Sequence, residues 1–167
     1  VKTQVTGFQN ANYQPLRCYE DVMVFSKGGT VPQANNHMCY FPQGLIQVNL
    51  KVSRSSIDYL SEKKNKQKKE HFQEYGNYPR NVIQFPRETN LYHPTQKPVN
   101  LMEYLISTYT KNGELVLDFT SGSGSTLLGC EVSGRRWIGI EITDKYCEVI
   151  KKRIENGIQL KISLEYK

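Results

Sequence analysis

Two carboxylates and a turn of glycine and serine are the residues here best suited to chemistry. Asp118 ends the apolar run Leu115-Val116-Leu117, and Asp118-Phe119-Thr120-Ser121-Gly122-Ser123-Gly124-Ser125-Thr126 then opens what reads as a helix. Glycine at 122 and 124 lets the backbone turn tightly and approach a ligand closely. Glu141 lies near the end of the next apolar run, about twenty residues on, where an acidic side chain can accept hydrogen bonds from ribose hydroxyls. The third glycine of the dinucleotide fingerprint would fall at Leu127, and no lysine follows the glycines as in a phosphate-binding loop. A carboxylate at 118 would repel a phosphate but suits a ligand carrying an ammonium and a sulfonium. An adenosine joined to an amino acid fits both acidic positions. Taken alone, the segment is equally consistent with a plain strand-to-helix turn and a solvated Glu141.

These residues need strands and helices to hold them. Pro98 suits the first turn of a helix, and Leu101, Leu105 and Tyr109, with Met102 and Ile106, mark its apolar face. Asn112-Gly113 stops it. A strand is predicted over 115–117, a helix over 125–133 ended by Gly134, and a strand over 137–142. Thr143 or Asp144 caps a helix running to about Asn156, with Gly157 as its stop. Beyond it, Ile158, Leu160, Ile162, Leu164 and Tyr166 alternate with other residues and predict an edge strand. Upstream, Val22, Met23, Val24 and Phe25 predict a short buried strand. The strand–helix–strand–helix order predicts an α/β fold with parallel strands and a ligand beyond their carboxyl ends.

The chain has 167 residues, 38% hydrophobic and 23% charged, which suits one domain or a large piece of one. A net charge of +6 fits a polyanionic partner but is common to many basic proteins. Cys18, Cys39, Cys130 and Cys147 form no C-x-x-C pair, and the three histidines lack zinc spacing. That argues against a disulfide framework or a metal site, and for reduced, mostly buried thiols in a cytoplasmic protein. No apolar run approaches membrane-span length, and the opening residues are read as carrying no signal peptide. The start at Val1 is read as a cut into something longer or an unusual initiation site.

Leu91-Tyr92-His93-Pro94-Thr95-Gln96-Lys97-Pro98, followed by the Asp118–Thr126 segment and then by Gly139-Ile140-Glu141-Ile142, resembles the β-group of DNA amino-methyltransferases. These enzymes, of phage, prophage and restriction–modification type, methylate the exocyclic amino group of adenine or cytosine. The strong likeness covers residues 90–154; residues 13–27 resemble the family more loosely. It implies a partial Rossmann-like methyltransferase sheet with helices on both faces and an irregular target-recognition insertion. Residues 1–27 would end the catalytic subregion, 28–90 form the recognition region, and 91–167 bind S-adenosylmethionine. Asp118, Phe119, Thr120, Gly122, Gly124 and Thr126 would line the methionine and sulfonium side of the cofactor. Glu141 would hold the ribose hydroxyls, with Ile142 against the adenine. His93, Pro94, Thr95, Gln96 and Lys97 would close the other side, Lys97 pairing with the cofactor carboxylate. Phe119 stands where the family often has Pro, and Ser125-Thr126 where it often has Thr-Thr.

The family's catalytic motif, Asp-Pro-Pro-Tyr or a close variant, stacks a flipped base on its aromatic ring while oxygen atoms hold the amino group. The sequence contains no Pro-Pro pair, so no catalytic residue is assigned. The expectation is a fragment of a site-specific DNA methyltransferase, adenine favoured, acting on double-stranded DNA. The alternative is an inactive remnant, or a DNA-binding subunit whose second polypeptide carries the motif. An oxidoreductase would need the missing third glycine. Lys63, Lys64, Lys66, Lys68, Lys69 and Arg80 are the expected phosphate contacts, although such lysine runs are usually solvated faces. Tyr75 and Tyr78, near the end of that region, are read as packing residues, with DNA contact as the alternative.

Overall fold

The computed structural model describes residues 8–16, 18–57 and 64–165, with the backbone alone at 8, 54–57, 64–69 and 158–165. The chain divides into two compact units, one of Val1–Phe41 with Asn81–Lys167 and one of Pro42–Arg80.

In the first unit β3 (Leu115–Asp118) pairs in parallel with β4 (Arg136–Gly139), Leu115 opposite Arg136 and Asp118 opposite Gly139. The helix α2 (Ser125–Ser133) makes the crossover between them. The pairing continues past both strands: the Ile140 amide donates to the Asp118 carbonyl at 2.8 Å and the Ser121 amide to the Ile140 carbonyl at 2.9 Å. At the other end Arg135 ties the close of α2 to the end of α1 (Val99–Tyr109), donating from Nη2 to the Thr110 carbonyl at 2.7 Å. This α/β unit matches the expected order of elements between residues 98 and 156.

Alternation along a strand sends successive side chains to opposite faces. Trp137 donates its indole N–H to Glu131 of α2 at 2.7 Å, and a Cβ at Gly139 would fall 2.5 Å from Leu127 of α2. Those positions therefore face α2. Helix α1 packs against α2 where Gly129 leaves room: a Cβ there would lie 2.9 Å from the Glu103 amide nitrogen. Leu127, Cys130 and Ile106 are the buried apolar side chains among the described residues. Burial raises the Cys130 thiol to about 11, consistent with an inert packing thiol. The expectation that most thiols are buried is corrected, because Cys18 and Cys39 are exposed.

The opposite sheet face carries Leu115, Leu117 and Ile138, each about half exposed. Helices on both faces were expected. Among the described residues α2 covers one face, with α1 and α3 (Asp144–Glu165) packed on α2, and the other face is uncovered.

Three further expectations are corrected. Residues 22–25 form no strand and are exposed, Phe25 at 87%, because no neighbouring strand among the described residues supplies the hydrogen bonds a strand requires. Helix α3 does not stop at Gly157 but continues to Glu165, taking in most of the segment expected as an edge strand. One interior glycine costs a helix only about 1 kcal/mol, and propagation from a formed helix is favourable. The insertion is not irregular throughout. In the second unit β1 (Ile46–Ile57) and β2 (Lys64–Gly76) form a long antiparallel hairpin, with Val52 opposite His71 and Lys51 opposite Phe72. A register shift between Gln47 and Leu50 is taken up by Asn49 at φ 49°, a bulge built on one of the residues that tolerate the left-handed region.

Candidate cofactor site

The site is built where β3 and β4 end side by side. Asp118 closes β3, and its Oδ1 accepts the Thr120 amide at 3.0 Å. The chain then reverses through Gly122 at φ 52° and Gly124 at φ 80°, both left-handed. Gly124 is needed twice over, since a Cβ would also lie 2.9 Å from Ile150 of α3. The turn delivers Ser125, whose buried hydroxyl has no hydrogen-bond partner among the described residues, to the first turn of α2.

Glu141 is held by two main-chain donors. Its Oε2 accepts the Gly122 amide at 2.8 Å and its Oε1 the Thr143 amide at 2.9 Å. The Thr143 amide, together with the Gly122 amide, holds this carboxyl below the ordinary glutamate value, outweighing the opposing effect of desolvation. The two acidic positions singled out from spacing therefore meet at one turn. Beyond it Phe119 is 72% and Ile142 97% exposed, leaving apolar surface at the strand ends for a planar ligand.

The second wall is the loop before α1. The His93 ring packs on Tyr146 of α3 at 4.6 Å between centroids, and its carbon atoms lie 3.8 Å from where a Gly122 Cβ would be. His93 Nδ1 accepts the Thr95 amide at 3.2 Å. Thr95 Oγ1 lies 3.1 Å from the same nitrogen. Pro94 and Thr95 are exposed between these anchors.

Other expected contacts are occupied differently. The Gln96 amide group is tied into its own loop, accepting from the Tyr92 amide at 3.0 Å and donating to the Asn90 carbonyl at 3.1 Å and to Glu88. Lys97 forms an ion pair with Glu20, so a cofactor carboxylate would have to share or displace that partner. Glu20 and its neighbours Pro15, Leu16, Cys18, Tyr19 and Asp21 line an open cleft. The Thr126 hydroxyl meets the Met102 sulfur of α1 at 3.6 Å, between helices rather than toward the turn. Among the basic residues, Lys63 lies outside the described residues. Lys64, Lys66, Lys68 and Lys69 are on β2, and Arg80 is exposed at the end of the second unit.

Sequence reasoning missed Glu88 and Arg153, which link the two walls. The available signal was Tyr146, Ile150 and Arg153 at helical spacing, an arginine within an otherwise apolar stripe. No group of three or more metal-ligating side chains occurs among the described residues. No described helix is long and apolar enough to cross a membrane.

The sequence model of the DNA methylase family matches residues 1–152. DNA adenine methyltransferase YhdJ of Escherichia coli (strain K12) is 32% identical over 142 residues, covering 82% of this chain and 45% of the relative. Type II methyltransferase M2.DpnII of Streptococcus pneumoniae is 44% identical over 63 residues, covering 38% of this chain and 24% of the relative. Among solved structures, the M1.HpyAVI–SAM complex aligns with a TM-score of 0.41 at 40% identity, covering 44% of this chain and 36% of that one. The chain thus spans under half the length of these relatives.

The Glu141 carboxylate leads to a prediction. A carboxyl whose value is depressed by folding stabilises the fold above its unfolded value, and that contribution is lost as pH falls through the lowered folded value. Carboxyl-resolved NMR titration will place Glu141 below ordinary glutamates, and Gly122 amide protection will fall with its protonation. A Glu141 that titrates at the ordinary value, with Gly122 unaffected, contradicts this.

Proposed function

The chain belongs to the N6/N4 amino-methyltransferase family of DNA methylases, and on that premise we propose that it is the S-adenosylmethionine-binding part of a DNA methyltransferase. The observation that carries the reading is the Glu141 carboxylate, fixed by the Gly122 and Thr143 amides beside Asp118 at the ends of two parallel strands. When bound, the cofactor supplies a sulfonium methyl group to the exocyclic amino nitrogen of a base, which gives up a proton.

The residues fit that cofactor. The Glu141 carboxylate accepts the Gly122 and Thr143 amides, one on each oxygen, and a carboxylate has about four lone-pair sites, so acceptor capacity remains for ribose hydroxyls. Asp118, with Oδ1 bonded to Thr120, attracts the ammonium and sulfonium end. Left-handed Gly122 and Gly124 allow close main-chain approach, while Ile142 and Phe119 offer apolar surface to the adenine and methionine portions. His93 closes the far side. Adenine is the favoured target base, supported by the relative named as a DNA adenine methyltransferase, which aligns with 82% of this chain.

The chemistry also needs a site for the flipped base. The chain has no Pro-Pro pair, and one sheet face exposes Leu115, Leu117 and Ile138. Both features favour a second polypeptide or chain segment that brings the base-binding motif and covers this face. A remnant that retains the cofactor pocket without transferring methyl groups rests on the same absent motif. Double-stranded DNA is the partner, with Lys63, Lys64, Lys66, Lys68, Lys69 and Arg80 neutralising phosphates without reading sequence.

Calorimetric titration of S-adenosylmethionine tests the cofactor assignment. Saturable binding is expected, weakened about ten- to a hundredfold by Glu141→Ala and by Asp118→Ala, the scale of a hydrogen bond to a charged group. A folded chain that takes up no S-adenosylmethionine contradicts it. Duplex affinity against salt tests the lysines: replacing Lys64, Lys66, Lys68 and Lys69 by Gln will flatten the log–log slope by about 0.9 for each phosphate no longer neutralised. An unchanged slope removes β2 from the DNA-binding surface.

A further inference from the structure

The two walls of the pocket are tied together by a partly buried ion pair between Arg153 and Glu88. Arg153, on α3, donates from Nη1 to the Ser123 carbonyl within the glycine turn at 2.6 Å and from Nη2 to Glu88 Oε2 at 3.1 Å. Its guanidinium carbon lies 5.1 Å from the Tyr92 ring centroid, and its side chain is only 10% exposed. Glu88 in turn accepts the Val99 amide, at the start of α1, with Oε1 at 2.8 Å, and Gln96 of the His93–Lys97 loop with Oε2. Pro98 gives α1 no side-chain cap, so Glu88 supplies the acceptor that the first turn lacks.

We propose that Glu88 and Arg153 are positioning residues that fix the distance between the glycine turn and the His93–Lys97 loop, and so preset the pocket for its cofactor. The inference rests on the cofactor reading above. Two features set this pair apart from surface ion pairs, which contribute little. Its arginine is largely withdrawn from water and its glutamate partly so, and every link runs to a different element: turn, loop, α1 and α3. A guanidinium presents two donor edges in a fixed plane, so it can hold Ser123 and Glu88 together and still stack on Tyr92. A lysine has one ammonium and cannot reproduce that geometry. Breaking one partner leaves the other charge half-buried and loosens the loop, with the His93–Tyr146 contact still joining it to α3.

The test uses the full chain and S-adenosylmethionine as the probe. Arg153→Lys and Glu88→Gln are each expected to lower the affinity on the order of tenfold at a temperature where both variants are folded, the double variant losing far less than the product of the two. Amide hydrogen exchange without cofactor should quicken at Tyr92, Gln96 and Val99, while amides of α2 keep their protection. Gly129→Ala, which strains the packing of α1 on α2 outside this network, serves as the control: it lowers Tm but leaves the affinity of the folded protein unchanged. A wild-type chain that fails to bind overturns the cofactor reading, and this role with it. A wild-type chain that binds, with Arg153→Lys and Glu88→Gln binding equally well, overturns the positioning role alone. So does an affinity loss in Gly129→Ala that matches theirs.

Discussion

The hydrogen bond from the Gly122 amide to the Glu141 carboxylate is the constraint on which the rest of this unit depends. It closes the end of a parallel pair whose last rungs, Ile140 to Asp118 and Ser121 to Ile140, already bring the two strand ends together. Gly122 points its amide at Glu141 only because its φ is positive, which a side chain would oppose. The Thr143 and Gly122 amides hold the Glu141 carboxyl below its ordinary value. The acidic acceptor is therefore fixed before any ligand arrives, and binding need not spend energy ordering it.

The second wall obeys a different logic. The glycine turn is shaped by its own backbone, whereas the His93–Lys97 loop has no regular hydrogen bonding and is held by side chains. His93 rests on Tyr146, Gln96 is bonded into its own loop, and Glu88 and Arg153 join that loop to α1, α3 and the turn. Helix α3 is thus both a packing element and the post against which the loop is set.

The βαβ core was legible because its signals are local. Apolar runs of strand length, glycines that end helices and an acidic residue at the right interval each speak for a few neighbouring residues. The hairpin was not legible, since the Lys-Asn-Lys-Gln-Lys-Lys sequence of β2 has no apolar alternation and its partner, β1, is identified only by cross-strand pairing. Residues 158–165 misled because alternation of Ile158, Leu160, Ile162 and Leu164 competes with a helix already formed, and the helix wins. Val22–Phe25 misled in the opposite sense: an apolar run suggests a strand but does not provide one to pair with. At the site, spacing alone brought Asp118, Gly122 and Glu141 together. The orientation of Thr126 toward Met102, the partner of Lys97 and the Glu88–Arg153 pair depend on tertiary neighbours that spacing cannot encode.

The proposed S-adenosylmethionine pocket lies between the glycine turn and the His93–Lys97 loop. Residue-resolved amide NMR during a titration with that molecule tests it most directly. The Gly122, Thr143 and Thr95 resonances are expected to move along one shared saturation curve, while those of Ile46 to Val52 stay in place. Perturbations that miss the turn and the loop, or that gather on the hairpin, would contradict it.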